Sequence, residues 1–183
     1  LEVRVCRDGK IYHQRYEYGK VVKELEEVGS ADEEKSGTEV TFLPDKELFD
    51  TTIYDFDVLK TRLRETAFLT KNLKIILRDV REEEVKEREF HYEGGIKEFV
   101  EFLNKKKQSL YNEVIYCEGT ANNVFVEVAL QHNAAYSENL LSFVNNINTP
   151  EGGMQVEGFK RALTKTLNNY ARKNKILKDK EDN

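Results

Sequence analysis

The 183-residue sequence predicts an α+β protein, built as two mixed modules in series. Three observations predict it. Strand-type alternation recurs, at Leu1, Val3 and Val5 and again at Val124, Val126, Val128 and Leu130. Apolar residues at helical spacing mark three further segments. The two kinds of element come in short mixed runs joined by turn signals, not in a strict strand–helix alternation.

The elements follow in order. Leu1, Val3 and Val5 alternate with Glu2, Arg4 and Cys6 in a half-buried strand. Asp8-Gly9 is a hairpin turn signal. The return strand puts Tyr12, Gln14, Tyr16 and Tyr18 on one face and Ile11, His13, Arg15 and Glu17 on the other. Residues 29–37 are a polar loop. A third strand carries Val40 and Phe42 on one face and ends at Pro44-Asp45. A helix begins at Asp55, a good N-cap, with Phe56, Leu59, Leu63 and Ala67 as its stripe. Leu73, Ile75 and Leu77 alternate in the next strand. The charged run 81–89 is a solvated hairpin or loop. Glu93-Gly94-Gly95 frees the backbone and is the expected boundary between the modules, 1–93 and 94–183.

The second module opens with a short helix carrying Ile96, Phe99, Val100 and Leu103. Lys105-Lys106-Lys107 sits at its C-terminal end, where positive charge suits the helix dipole. Three strands follow, at 114–117, 124–130 and 140–147. The last element is a long helix over about 154–174, whose apolar face holds Val156, Phe159, Leu163, Leu167 and Tyr170. Arg161, Lys165 and Arg172 line another of its faces, a basic stripe suited to transient contact with DNA phosphates. The tail from Lys178 has nothing apolar to pack and is expected to fray.

Composition limits the function classes. Hydrophobic residues make up 39% and charged residues 34%, so a polar-surfaced globular protein is expected. The net charge of −5 argues against a generic nucleic-acid coat. No apolar run approaches a membrane span and no leader is visible. Cys6 and Cys117 lack metal-ligand spacing and read as reduced, half-buried packing residues, which points to the cytoplasm. His13, His91 and His132 have no ligand spacing either. A chain that opens at Leu1 inside a strand reads as a piece of a longer protein.

No complete catalytic motif stands in the sequence. There is no GxxxxGK[ST] phosphate loop, no GxGxxG and no HExxH or GxSxG. Taken alone, these residues describe a two-module protein of open function, and the catalytic residue set is empty.

Several segments together carry a resemblance. They are Gly37-Thr38-Glu39-Val40-Thr41-Phe42-Leu43-Pro44-Asp45, Leu63-Arg64-Glu65-Thr66-Ala67-Phe68-Leu69 and Phe90-His91-Tyr92-Glu93-Gly94-Gly95-Ile96-Lys97. Further along come Glu138 to Ile147, Gly158-Phe159-Lys160-Arg161-Ala162-Leu163-Thr164 and Asn169-Tyr170-Ala171-Arg172-Lys173. In this order the chain resembles, over essentially its whole length, the amino-terminal ATPase and transducer region of the gyrase B family of type II topoisomerases. The resemblance implies the C-terminal part of a GHKL-type ATPase α/β sandwich over 1–93. It implies the first part of a transducer domain with a left-handed βαβ crossover over 94–183. It also implies ATP and Mg²⁺ as cofactors. The implied partners are the gyrase A protein, a second copy of the gyrase B protein, DNA and aminocoumarin-type inhibitors.

The residue-level carry-over is narrow. Thr38 matches a threonine that hydrogen-bonds at the adenine end of the nucleotide pocket. Val40 matches its apolar floor, and Arg7 an arginine at its mouth that contacts aminocoumarins. Ordinary strand-start, core and solvated roles stand as alternatives for the three. The family's catalytic glutamate, Mg²⁺-binding asparagine, adenine-binding aspartate and glycine-rich lid fall upstream of residue 1. Its γ-phosphate lysine falls downstream of Asn183. Phosphoryl transfer depends on positioning and charge stabilisation by such groups, so these 183 residues alone are expected to be inactive. The chain departs from the family at Gly152-Gly153-Met154-Gln155, where Gly-Gly-Thr-His is usual. It departs again at Asn133-Ala134-Ala135-Tyr136, where a turn glycine is usual. The B subunit of topoisomerase IV and a stand-alone, non-enzymatic binding scaffold are the competing readings.

Overall fold

The computed structural model describes residues 1–178. It divides into two compact units, Leu1–Tyr54 and a second that begins at Asp55. The compact units thus separate 39 positions before the 93/94 boundary read from the sequence, because the first helix packs with the strands and helix that come after it. The part of the tail from residue 179 onward lies outside the described residues.

The first unit is one antiparallel sheet of order β3-β2-β1-β4. Its strands are β1 (Glu2–Arg7), β2 (Lys10–Glu17), β3 (Lys20–Ser30) and β4 (Gly37–Thr41). Asp8-Gly9 turns the first hairpin with φ of 52° and 71°, and Tyr18-Gly19 turns the second with φ of 50° and 76°. Paired positive φ values match the twist of a two-residue hairpin. β3 carried no strand signal, because Val21, Val22, Leu25 and Val28 are spaced as on a helix and all stand exposed. The turn and the pairing with β2 decide its conformation, with register irregularities beside Tyr12, Arg15 and Tyr16. His13 is buried on this sheet, its Nε2 3.6 Å from Glu2 Oε2.

The second unit holds every buried apolar residue among those described. α1 (Phe56–Leu69) starts at Asp55, whose carboxylate accepts from the Val58 amide at 2.9 Å. That satisfies one orphan donor of the first turn. Phe68, fully buried, stacks on Tyr92 at 3.6 Å and on Phe99 at 4.7 Å between ring centroids. Phe99 belongs to α2 (Ile96–Asn104), so this aromatic stack joins the two helices. The Arg64 guanidinium lies 5.0 Å from the Phe102 centroid and 5.6 Å from that of Phe90. β5 (Lys74–Asp79) and β6 (Lys86–His91) form a hairpin, so the charged run is part turn and part strand. At its turn the Arg81 side chain holds the Asp79 carboxyl down to about 2 by hydrogen bonding.

β7 (Ile115–Ala121) and β8 (Val124–Leu130) form a second hairpin, closed by Asn122 and Asn123 at φ of 49° and 62°. The single strand expected over 140–147 is instead a small hairpin, β9 (Phe143–Val144) and β10 (Ile147–Asn148). Asn145 and Asn146 take φ of 49° and 64° and fold it back. Asparagine tolerates that left-handed region better than most residues, so the paired asparagines break the strand. α3 (Met154–Lys173) starts after Gly153 without a side-chain cap. Gln155, which stands where the family has histidine, donates to Thr149 Oγ1 at 3.1 Å and Ser142 Oγ at 3.3 Å. It ties the start of the helix to the β9–β10 hairpin. Cys6 is half-buried, but Cys117 is exposed, contrary to expectation, since its stretch of β7 is uncovered. Each strand ladder among the described residues is antiparallel, so the parallel pair of a crossover does not occur among these pairings. No described helix is long and apolar enough to cross a membrane.

Candidate functional site

The sheet of the first unit places the three residues expected at a nucleotide pocket on one face. β1 pairs with β4 so that Val5 lies opposite Thr38 and Val3 opposite Val40. Arg7 is two residues beyond Val5 on the same strand, and directly opposite residues share a face. β2 extends the face with Tyr12 opposite Val5 and Gln14 opposite Val3. The alternation of β1, β2 and β4 was legible in the sequence. Val3, Val5 and Tyr12 joined the candidate face only through the pairing register, which single strands do not encode.

The chemistry of this face is that of a flat apolar floor with polar ends. Val40 is 53% exposed, so the floor is open to a planar partner. Thr38 is exposed, and its hydroxyl makes no hydrogen bond to any described residue, its own backbone included. A hydroxyl donates and accepts, which suits a purine edge or a bridging water. Arg7 stands at the end of the strand, its guanidinium 3.4 Å from the Asp8 carboxylate and largely solvated. The opposite face is different in kind. It carries a shallow concavity lined by Glu2, Arg4, Glu39 and Thr41, charged and polar throughout, and offers no apolar floor. Among the described residues no three His, Cys, Asp or Glu side chains gather to hold a metal ion. An open apolar floor with a hydroxyl beside it is chemistry suited to a planar, hydrogen-bonding partner.

The basic stripe expected on α3 is shorter than the sequence implied. Lys160, Arg161, Thr164 and Lys165 line one shallow groove. Lys160 is paired with Glu138 at 3.0 Å, whereas Arg161 and Lys165 are in no ion pair with a described residue. Arg172 is half-buried on the packed side of the helix, beside buried Asn168 and Ala171, and does not extend the stripe. Arg161 and Arg172 stand eleven positions apart, within about 20° of each other around the helix, so the burial of Arg172 reflects what covers that end of α3 and not a change of helical face.

Comparison with known proteins bears on the whole chain. Residues 95–183 match the family model described as DNA gyrase B. The full chain is 52% identical to the DNA gyrase B protein of Bacillus cereus, covering 45% of that protein. It is 49% identical to that of Staphylococcus epidermidis, covering 28% of it. The chain therefore spans less than half the length of these relatives. In fold it matches the 43K ATPase domain of Thermus thermophilus gyrase B, solved in complex with an aminocoumarin. That match has a TM-score of 0.81 and 36% identity, over 98% of this chain and 49% of the other. The B-subunit of the DNA gyrase from Myxococcus xanthus aligns with a TM-score of 0.81 at 26% identity, over 93% of this chain and 49% of that one. Matched along its full length in sequence and over nearly all of it in fold, the chain belongs to the DNA gyrase B family.

Proposed function

We propose that this chain forms part of the ATP-binding and transducer region of a type II topoisomerase that couples ATP binding and hydrolysis to DNA strand passage and negative supercoiling. The observation that carries the reading is the match in sequence and fold to gyrase B along the whole chain. Residues 1–93 supply the C-terminal half of the GHKL-type ATPase domain and 94–183 the first part of the transducer. The family-model match beginning at residue 95 supports that division. Thr38 binds the adenine end of ATP, Val40 forms the pocket floor and Arg7 stands at its mouth. Their common sheet face supports this assignment. The catalytic base, the Mg²⁺ ligand and the lid belong to other parts of the intact protein. Its partners are the gyrase A protein, a second copy of the gyrase B protein, DNA and aminocoumarin-type inhibitors, in the cytoplasm.

The test compares two samples. The intact gyrase B protein, reconstituted with gyrase A, is expected to supercoil relaxed plasmid only with ATP and Mg²⁺, while the 183-residue chain alone shows no ATP turnover. Decatenation without supercoiling would reassign the protein to topoisomerase IV. Turnover by the isolated chain above a mock preparation would overturn the division of labour.

A further inference from the structure

Thr70 caps the end of α1 and Lys71 follows it, and two separate hairpins are tied to these two residues. The Thr70 hydroxyl accepts a hydrogen bond from Asn146 Nδ2 at 3.2 Å, at the tip of β9–β10. The Lys71 side chain runs the other way. Its Nζ reaches 3.6 Å from Glu127 Oε1 on β8 and lies 5.8 Å from the centroid of the Tyr116 ring on β7. To get there its stem crosses Gly95. A Cβ at that position would sit 2.5 Å from Lys71 Cε and 3.1 Å from its Cγ. Gly95 also holds φ of 61°, so glycine here serves both the backbone and the passage of the lysine.

What Lys71 meets is an acidic pair. Glu118 and Glu127 lie directly across the β7–β8 ladder. Like charges so placed repel. The Tyr116 hydroxyl stands 2.5 Å from Glu118 Oε2 and 2.6 Å from Glu127 Oε1. It has one hydrogen and serves one carboxylate at a time. The two carboxylates hold the phenol protonated far above its ordinary range. One carboxylate is therefore always left against a lone pair, and among the described residues Lys71 is the cation that faces the pair.

We propose that Lys71 is a positioning residue that fixes the β7–β8 hairpin to the end of α1, while Thr70 and Asn146 fix β9–β10. Displacement of the helix end then moves both hairpins together. The inference rests on the functional reading above, in which α1 belongs to the nucleotide side and both hairpins to the transducer. Lys71 would then transmit nucleotide state without touching nucleotide.

The experiment uses the holoenzyme. Lys71→Met keeps the stem over Gly95 and removes the charge, Lys71→Arg keeps the charge, and Lys71→Glu with Glu127→Lys exchanges it. DNA-free ATP hydrolysis (kcat and KM) and supercoils introduced per ATP are measured for each. Lys71→Met is expected to leave DNA-free kcat and KM within about twofold and to lower supercoiling per ATP by about 5- to 10-fold, at the low end of ordinary allosteric coupling. Lys71→Arg and the exchanged pair are expected to restore it. In hydrogen exchange, Lys71→Met should speed the amides of 115–130 and leave those of β1 and β4 unchanged. Wild-type supercoiling per ATP in Lys71→Met would overturn this inference alone, as would a loss that neither Lys71→Arg nor the exchanged pair restores. A wild-type holoenzyme without ATP-dependent supercoiling would instead overturn the functional reading on which it rests.

Discussion

At the scale of single residues, Thr38 and Arg7 occupy different chemical positions on one sheet face, and their substitutions should separate. Thr38 sits within the strand pairing opposite Val5, next to an apolar floor. Arg7 sits at the strand end in solvent. In the intact protein Thr38→Ala is expected to weaken ATP and aminocoumarin binding together. The cost is that of one hydrogen bond at a site closed by the ligand, about 1–3 kcal/mol. Arg7→His should weaken the inhibitor more than ATP turnover. Calorimetric titration of both ligands against both variants checks this, and unchanged affinities in Thr38→Ala would remove Thr38 from the pocket. The three residues were legible in the sequence only through the family resemblance, because a threonine and a valine in a strand are common. Their common face came from the antiparallel register.

At the scale of elements, α1 shows what a stripe predicts and what it misses. The spacing of Phe56, Leu59, Leu63 and Ala67 located the helix, and Asp55 located its start. The side chain that does most for the core is Phe68, which lies off the strongest periodic positions and stacks between Tyr92 and Phe99. Phe68→Ala is expected to destabilise the second unit by about 3–5 kcal/mol through loss of buried area and the cavity left behind. Asp55→Ala should cost only about 1 kcal/mol, the value of an N-cap. Urea unfolding followed by circular dichroism distinguishes the two, and equal midpoints for both variants would mean that the aromatic stack contributes no more than the cap. The small β9–β10 hairpin teaches the converse. An apolar run over 140–147 reads as one strand, yet two asparagines at positive φ divide it. Turn chemistry prevailed over local hydrophobicity there.

At the scale of the whole chain, charge is distributed against a general affinity for nucleic acid. With a net charge of −5, any contact with DNA must be local. The groove of α3 leaves Arg161 and Lys165 as the exposed cations to serve it. In the holoenzyme, Arg161→Gln with Lys165→Gln should lower supercoiling while sparing DNA-free ATP hydrolysis. It should also reduce the slope of DNA-stimulated ATPase against salt by roughly one per charge removed. An unchanged slope and unchanged supercoiling would show that this helix face is only solvated.

Sequence was sufficient for the fold class, three helices with their starts, the hairpin turn at Asp8-Gly9, and membership of a family through ordered motifs. These are local properties or ordered sets of them. Period, caps and turn residues act within a few positions along the chain, so they can be read without knowing what lies across from them. Folding in three dimensions settled that β3 is a strand, that Phe68 is the hub of the core and that Arg172 leaves the basic stripe. The same holds for the gathering of Thr38, Val40 and Arg7 on one face and for the passage of Lys71 over Gly95 to an acidic pair whose nearer carboxylate is Glu127. Each of these depends on register or packing between residues distant in sequence, and that long-range geometry is fixed by burial and pairing energies summed over the folded unit rather than by any one segment.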